Sequence, residues 1–197
     1  MSFNLGNMWS TSKKNNYTKS IKPQSNNFKG MVKIKNNSKL VTKSSRKMGT
    51  KGFWGNPTWI LFHSLAEKSD DEKYKLHYTV IWSFIKNICG GLPCPYCRSS
   101  ALVYINKIPL SSVNTKDKLK KVLFDFHNYV NMKTGNVVQT INILEKYKNA
   151  NLNKILEFFT NNFFVSYIGT RQFNDWYKNK LRDKTGVFWD FYIKNVV

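Results

Sequence analysis

From Trp54 to Val130 the apolar residues return every third and fourth position, and no stretch reads as a strand. That period lines side chains along one face of a helix, so it restricts this part of the chain to packed helices. Leu119, Val122, Leu123, Phe126, His127 and Val130 form the cleanest stripe. The spacing predicts four helices over residues 53–132. The first is expected to begin at Asn56-Pro57, an N-cap followed by proline at the first helical position, with Trp59, Phe62, His63 and Ala66 on one face. The second opens on Ser69-Asp70-Asp71-Glu72, a capping-box pattern with extra acids at the positive helix end. Its stripe is His77, Ile81, Phe84, Ile85 and Ile88, and Gly90-Gly91 stops it. The third starts at Cys94-Pro95, carries Cys97, Ala101 and Tyr104 on one side, and ends before Pro109. The fourth runs from Thr115 to Met132 and Gly135 closes it. The fold class is all-α, a four-helix bundle.

The flanks differ from this body. Residues 1–50 hold ten lysines, Arg46 and no acid, among repeated Asn and Ser, which is the composition of a solvated, disordered basic tail. After Gly135 helical spacing resumes. Ile141, Leu144 and Tyr147 suggest one short helix; Leu152, Ile155, Leu156, Phe159 and Phe163 a second; Phe173, Trp176, Tyr177 and Leu181 a third. Beyond Gly186 comes a separate aromatic segment, Val187 to Ile193. The expected domains are therefore 1–51 as tail, 52–137 as core and 138–197 as a helical C-terminal extension.

The formal charge of +21, from 32 basic and 11 acidic residues, invites a nucleic-acid reading. Eleven of those charges sit in the tail, which carries no motif of a nucleic-acid-binding fold. Only four residues are arginine, and Lys/Asn-rich, Arg-poor usage is what an AT-rich genome produces. No specific nucleic-acid binding is expected. Nor is a membrane span or a secretory signal peptide, because no apolar run is long enough.

The chemistry lies in Cys94-Pro95-Tyr96-Cys97. Two thiols spaced this way at a helix start can close a small disulfide, and the helix N-terminus favours a reactive thiolate. The same spacing serves as half of a zinc site or as two ordinary buried cysteines. Zinc would need Cys89 and one of His63, His77 or His127 as further ligands. A thioredoxin fold would need an alternating β/α pattern, which is missing. Two further segments accompany the pair: Trp54-Gly55-Asn56-Pro57-Thr58-Trp59 continuing to His63, and Phe126-His127-Asn128-Tyr129-Val130-Asn131.

Together, in this order and spacing, these segments resemble the Erv/ALR family of FAD-linked sulfhydryl oxidases, most of all members encoded by large cytoplasmic DNA viruses. The resemblance spans residues 53–136. It implies FAD in the mouth of the bundle, with Trp54, Gly55, Trp59 and His63 around it. It implies that Cys97 is the charge-transfer thiol beside the flavin and Cys94 the interchange thiol facing substrate. His127, Asn128, Val130 and Asn131 would contact the adenosine part, and Lys133 would meet a phosphate. Electrons would pass from a dithiol protein, of thioredoxin-like kind, through the disulfide and flavin to dioxygen, giving hydrogen peroxide. A homodimer paired through the first helices is implied, as are the cytoplasm of an infected host cell and the virion as locations.

The chain departs from the pattern in places. Asn56 and Phe62 replace a usual proline and leucine, and Asn136 stands where many members have lysine. No second cysteine pair exists, so electrons must enter directly at Cys94 and Cys97, and Cys89 reads as a buried free thiol. Two rival functions stay open on the residues alone: a basic zinc- or nucleic-acid-associated binding module, and a flavin-containing assembly scaffold.

Overall fold

The computed structural model describes residues 51–167 and 175–197. The chain divides into two units, Met1–Ser45 and Arg46–Val197. The first lies outside the described residues, as do residues 1–50 of the tail expected over 1–51; its last residue, Lys51, opens a helix.

The described part of the second unit is helical, with no strand. Helix α1 spans Lys51–Lys68, α2 Asp71–Gly90, α3 Pro95–Ile105 and α4 Lys116–Lys133. A short 3-10 helix, Leu110–Ser112, links α3 to α4. A second 3-10 helix, Ile141–Tyr147, is followed by α5 (Leu152–Phe163), a 3-10 turn (Val165–Tyr167) and α6 (Asp175–Asn195). No helix among the described residues is long and apolar enough to cross a membrane.

Part of each predicted bundle stripe is core: Trp59, His77, Val122 and Val130 are only half-buried and Ile141 of the extension is exposed, whereas Leu61 and Leu65, outside the predicted α1 stripe, are buried. Leu61, Phe62, Leu65 and Ala66 of α1, Ile81, Phe84, Ile85 and Ile88 of α2, and Leu119, Leu123 and Phe126 of α4 are buried. Each of these Leu, Ile and Phe side chains contributes about 1.5–3 kcal/mol when taken from water. Tyr74 crosses from α2 to the α3–α4 link, its hydroxyl donating to the Val113 carbonyl at 2.6 Å.

Three expectations about boundaries are corrected. Helix α1 does not begin at Asn56-Pro57; Pro57 lies inside it. Proline there removes one backbone donor. The Thr58 hydroxyl supplies a nearby one, donating to the Trp54 carbonyl at 2.8 Å. The second N-cap is Asp70 rather than Ser69. Its carboxylate accepts from the Glu72 and Lys73 amides at 3.1 and 2.9 Å, and these bonds hold its pKa below the usual carboxylate value. Ser69 turns inward instead and donates to the Leu65 carbonyl at 2.7 Å. The third correction concerns Gly186, which breaks nothing: α6 runs through it. Glycine in a helix costs about 1 kcal/mol, and burial of Leu181, Phe188 and Tyr192 on either side outweighs it. Trp176, expected in the buried stripe, is 65% exposed. Phe173 lies outside the described residues.

The extension is anchored on the bundle. Helix α5 packs on α1, and α6 on α2. Phe188 stacks on Phe84 with centroids 3.7 Å apart and planes 2° from parallel. The Tyr192 hydroxyl donates to the Leu65 carbonyl at 2.7 Å. At the C-cap of α2, a Cβ on Gly91 would fall on Leu181 Cδ2 and lie 3.3 Å from the Tyr167 hydroxyl. Gly91 is thus a close-approach position between bundle and extension. Gly91→Ala is expected to lower stability by about 1–3 kcal/mol through overpacking, read as a lower denaturation midpoint. Leu181→Val in the same chain should recover part of the loss; no recovery would mean that this contact is not the cause.

Candidate functional site

The site begins with the start of α3. Cys94 is its N-cap, followed by proline at the first helical position, and the Cys94 sulfur accepts the Cys97 amide at 3.2 Å. One turn of helix therefore brings the sulfurs together, and Cys94 and Cys97 form a disulfide with Cα atoms 5.2 Å apart. A thiolate on Cys94 would keep that amide bond and sit on the positive end of the helix dipole, both of which stabilise it.

Behind the disulfide is a cleft of about 470 Å³ between α1, α3 and α4. Cys97 lines it and Cys94 does not. Trp54, Gly55 and Trp59 of α1 line it too, with His127, Val130, Asn131 and Lys133 of α4. One wall is a layer of rings. Trp59 and His127 stack with centroids 4.1 Å apart and planes 8° from parallel, and Phe126 meets Trp59 edge-on at 5.1 Å. At the rim Lys133 reaches Ser100 Oγ at 3.3 Å and lies over the Tyr129 ring.

His63 lies one layer deeper. Its Nε2 is 3.0 Å from His127 Nδ1, and its ring rests against Tyr147. One shared proton joins the two rings. Burial lowers the His63 pKa to about 3, with the nearby His127 and Lys146 adding to the effect. Burial, then Lys146, lowers that of His127 to about 4. Both imidazoles are neutral at pH 7, so this wall is polar and uncharged.

His63 and Asn128, two of the predicted cofactor contacts, line a second cavity of about 330 Å³ behind this pair, not the main cleft. His127, Asn131 and Asn136 border both cavities. Asn128 holds the segment after α4. It donates to the Gln139 carbonyl at 3.0 Å and accepts the Gln139 amide at 2.9 Å. The reversal that makes this possible uses Gly135 at φ +69°. Sequence reasoning missed Phe126, Ser100 and Tyr147 as parts of the site. Phe126 was legible only as a core residue, and Tyr147 as a helix stripe far along the chain.

Cys89 also borders the main cleft. It is a free thiol, and burial pushes its pKa up to about 12. Among the described residues no three His, Cys, Asp or Glu side chains converge to hold a metal, so the zinc reading finds no ligand set there.

The cleft suits a bound planar cofactor. Its size is that of a small-molecule site, stacked aromatic rings flank it, and a disulfide sulfur stands at its wall. Its lining contains lysines and no carboxylate, as a diphosphate requires.

Comparison with known proteins agrees with this arrangement. The Erv1/Alr family profile matches residues 56–150. An FAD-linked sulfhydryl oxidase of African swine fever virus is 33% identical over 105 residues, covering 53% of this chain and 84% of that protein. A protein of Invertebrate iridescent virus 6, provisionally named an FAD-linked sulfhydryl oxidase, is 34% identical over 93 residues, covering 42% of this chain and 79% of its own. The chain belongs to the Erv1/Alr family. No solved structure matches it significantly. The family match ends at residue 150, so it takes in the 3-10 helix that carries Lys146 and Tyr147 and shields the histidine pair.

Proposed function

We propose that this Erv1/Alr protein is an FAD-dependent sulfhydryl oxidase that makes disulfides in protein substrates. The observation that carries the reading is the split in the Cys94–Cys97 pair: one sulfur at the cofactor cleft, the other outside it. A substrate thiolate attacks Cys94 Sγ, the Cys94–Cys97 bond breaks, and Cys97 leaves as a thiolate. A second substrate thiol, as thiolate, then attacks the substrate sulfur of the mixed disulfide and releases Cys94. The substrate is now a disulfide, its two thiol protons are in solvent, and the electron pair rests on the Cys94/Cys97 dithiolate. When bound, FAD accepts that pair and gives it to dioxygen, yielding hydrogen peroxide. Trp54, Gly55, Trp59, His127, Val130 and Asn131 would hold the cofactor in the cleft. Lys133 would offer charge to a phosphate, and His63 and Asn128 would act from behind by fixing His127 and the 136–139 segment.

The electron donor in this reading is a small dithiol protein of thioredoxin-like kind. The setting, read from the viral relatives, is the cytoplasm of an infected cell and the virion. The homodimer belongs to the same reading.

The purified protein should be yellow, with flavin absorbance near one equivalent, and should consume oxygen and release peroxide one-to-one with dithiothreitol oxidised. Colourless, folded protein would sink the proposal. Full flavin content without turnover of any dithiol would favour the scaffold reading instead.

A further inference from the structure

Residues 73–116 contain no Asp or Glu, the longest acid-free run within the catalytic body. That run includes the whole of α3 and both active-site cysteines. Its solvent side is one continuous face: Pro95, Tyr96, Ser99 and Val103 are exposed, and so are Asn106 and Lys107 in the turn that follows. Tyr96 is 73% exposed and Val103 59%. Lys133, also exposed, reaches Ser100 from α4 and borders this face; the Tyr129 phenol beside it has its pKa lowered first by the hydrogen bond with Lys133 and last by the charge of Lys107. Asp125 of α4 is the one carboxylate acting on Tyr104 of this helix, and Lys121 holds it at 2.9 Å. The strip beside the disulfide therefore mixes apolar side chains (Pro95, Tyr96, Val103) with uncharged polar ones (Ser99, Asn106), carries no carboxylate and ends on the positive charge of Lys107. An 11-residue helix is about 16 Å long, the span of about five extended residues.

We propose that the exposed face of α3, with Tyr96 and Val103 as apolar contacts and Lys107 as the distal charge, docks the substrate protein and selects dithiols carried in acidic segments. This rests on the oxidase reading and specifies its substrate class. The occupant is committed by charge: an acidic segment neutralises Lys107 on a face that carries no carboxylate, whereas a basic one places like charge against it. The same field favours ionisation of the attacking substrate thiol.

The test uses the full-length holoenzyme and two dithiol peptides of equal length, one flanked by glutamates and one by lysines. Each kcat/KM is divided by that for dithiothreitol on the same protein sample. At low salt the acidic peptide should be favoured about 10-fold or more, a size typical of electrostatic steering, and most of the preference should vanish at 0.5 M salt. Lys107→Glu should cut the ratio at least threefold, and Tyr96→Ala should lower both peptide values relative to dithiothreitol. Equal values for the two peptides would overturn the proposal. So would a preference that Lys107→Glu leaves intact, which would assign it to the basic N-terminal segment. Absence of dithiothreitol turnover would instead overturn the oxidase reading itself.

Discussion

Replacing Cys97 with serine is expected to abolish dithiol oxidation while leaving the flavin bound. The cleft is walled by many groups, chiefly Trp54, Trp59, Phe126 and His127, and serine removes only one atom's worth of surface. The sulfur has no substitute, because oxygen forms no disulfide and cannot accept the exchange. Cys89 cannot take over: it is buried and its thiol stays protonated, with a pKa pushed up to about 12. The expected loss in kcat/KM is a factor of about 1,000 or more, equivalent to about 4 kcal/mol of barrier. Oxygen uptake and the visible spectrum are the two readouts. The companion Cys94→Ser should be equally inactive toward protein dithiols, and only Cys97→Ser should capture a single-cysteine substrate activated as its mixed disulfide with 5-thio-2-nitrobenzoate, the Cys94 thiolate taking the substrate sulfur and releasing thionitrobenzoate. Turnover in Cys97→Ser within tenfold of the parent would show that Cys97 is not the residue beside the cofactor. A mixed disulfide at position 97 in Cys94→Ser, trapped as readily as one at Cys94, would reverse the two roles.

The parts of this site visible in the sequence are those set by short-range geometry. Cys94-Pro95-Tyr96-Cys97 contains its own cap, its own first helical residue and its own spacing, so its local structure follows from four residues. The α4 stripe likewise separates Leu119, Leu123 and Phe126 from the solvent side without help from other elements. Contacts that depend on distant packing were not legible. Asn128 looks like a ligand contact from its place beside His127, yet both ends of its amide are engaged by Gln139 eleven residues on. Nothing in the spacing links Tyr147 to His63, because the chain must first reverse at Gly135 and cross α1. Pro57 and Gly186 misled for one shared reason. Both are helix breakers by local energy, and both lie in helices whose burial on α4, α5 or α2 is worth more than the local cost. The capping-box pattern begins at Ser69, but its hydroxyl proton goes to the Leu65 carbonyl, which Tyr192 shares from 127 residues away, and the cap falls to Asp70.

Acid should dismantle the wall formed by His63 and His127. In the unfolded chain both imidazoles take up a proton near pH 6.5, whereas in the folded chain they resist it until about pH 3 and pH 4. Above pH 6.5 neither state is protonated there, and the pair introduces no pH dependence. As pH falls below 6.5 the unfolded state binds protons that the folded state refuses, so stability is lost progressively down to about pH 3. The slope is about 1.4 kcal/mol per pH unit for each fully shielded histidine. His127 is partly open to solvent, and its share is counted at half. On that basis the loss between pH 6.5 and pH 4 is roughly 5 kcal/mol, comparable with the whole stability of a small domain. The window identifies the groups, since ordinary carboxylates titrate mostly below pH 5. Calorimetric unfolding at pH 5.5 in buffers of different ionisation heat should therefore report an uptake of about one and a half protons, falling toward zero at pH 8. An uptake near zero at pH 5.5 would mean that the folded pair is already charged. That outcome would remove the neutral wall on which stacking of Trp59, His127 and a bound ring depends. Flavin release from the folded protein should stay flat from pH 8 to pH 5 and rise only toward pH 4 and below, where a second proton on the pair leaves the 3.0 Å contact between the rings without an acceptor.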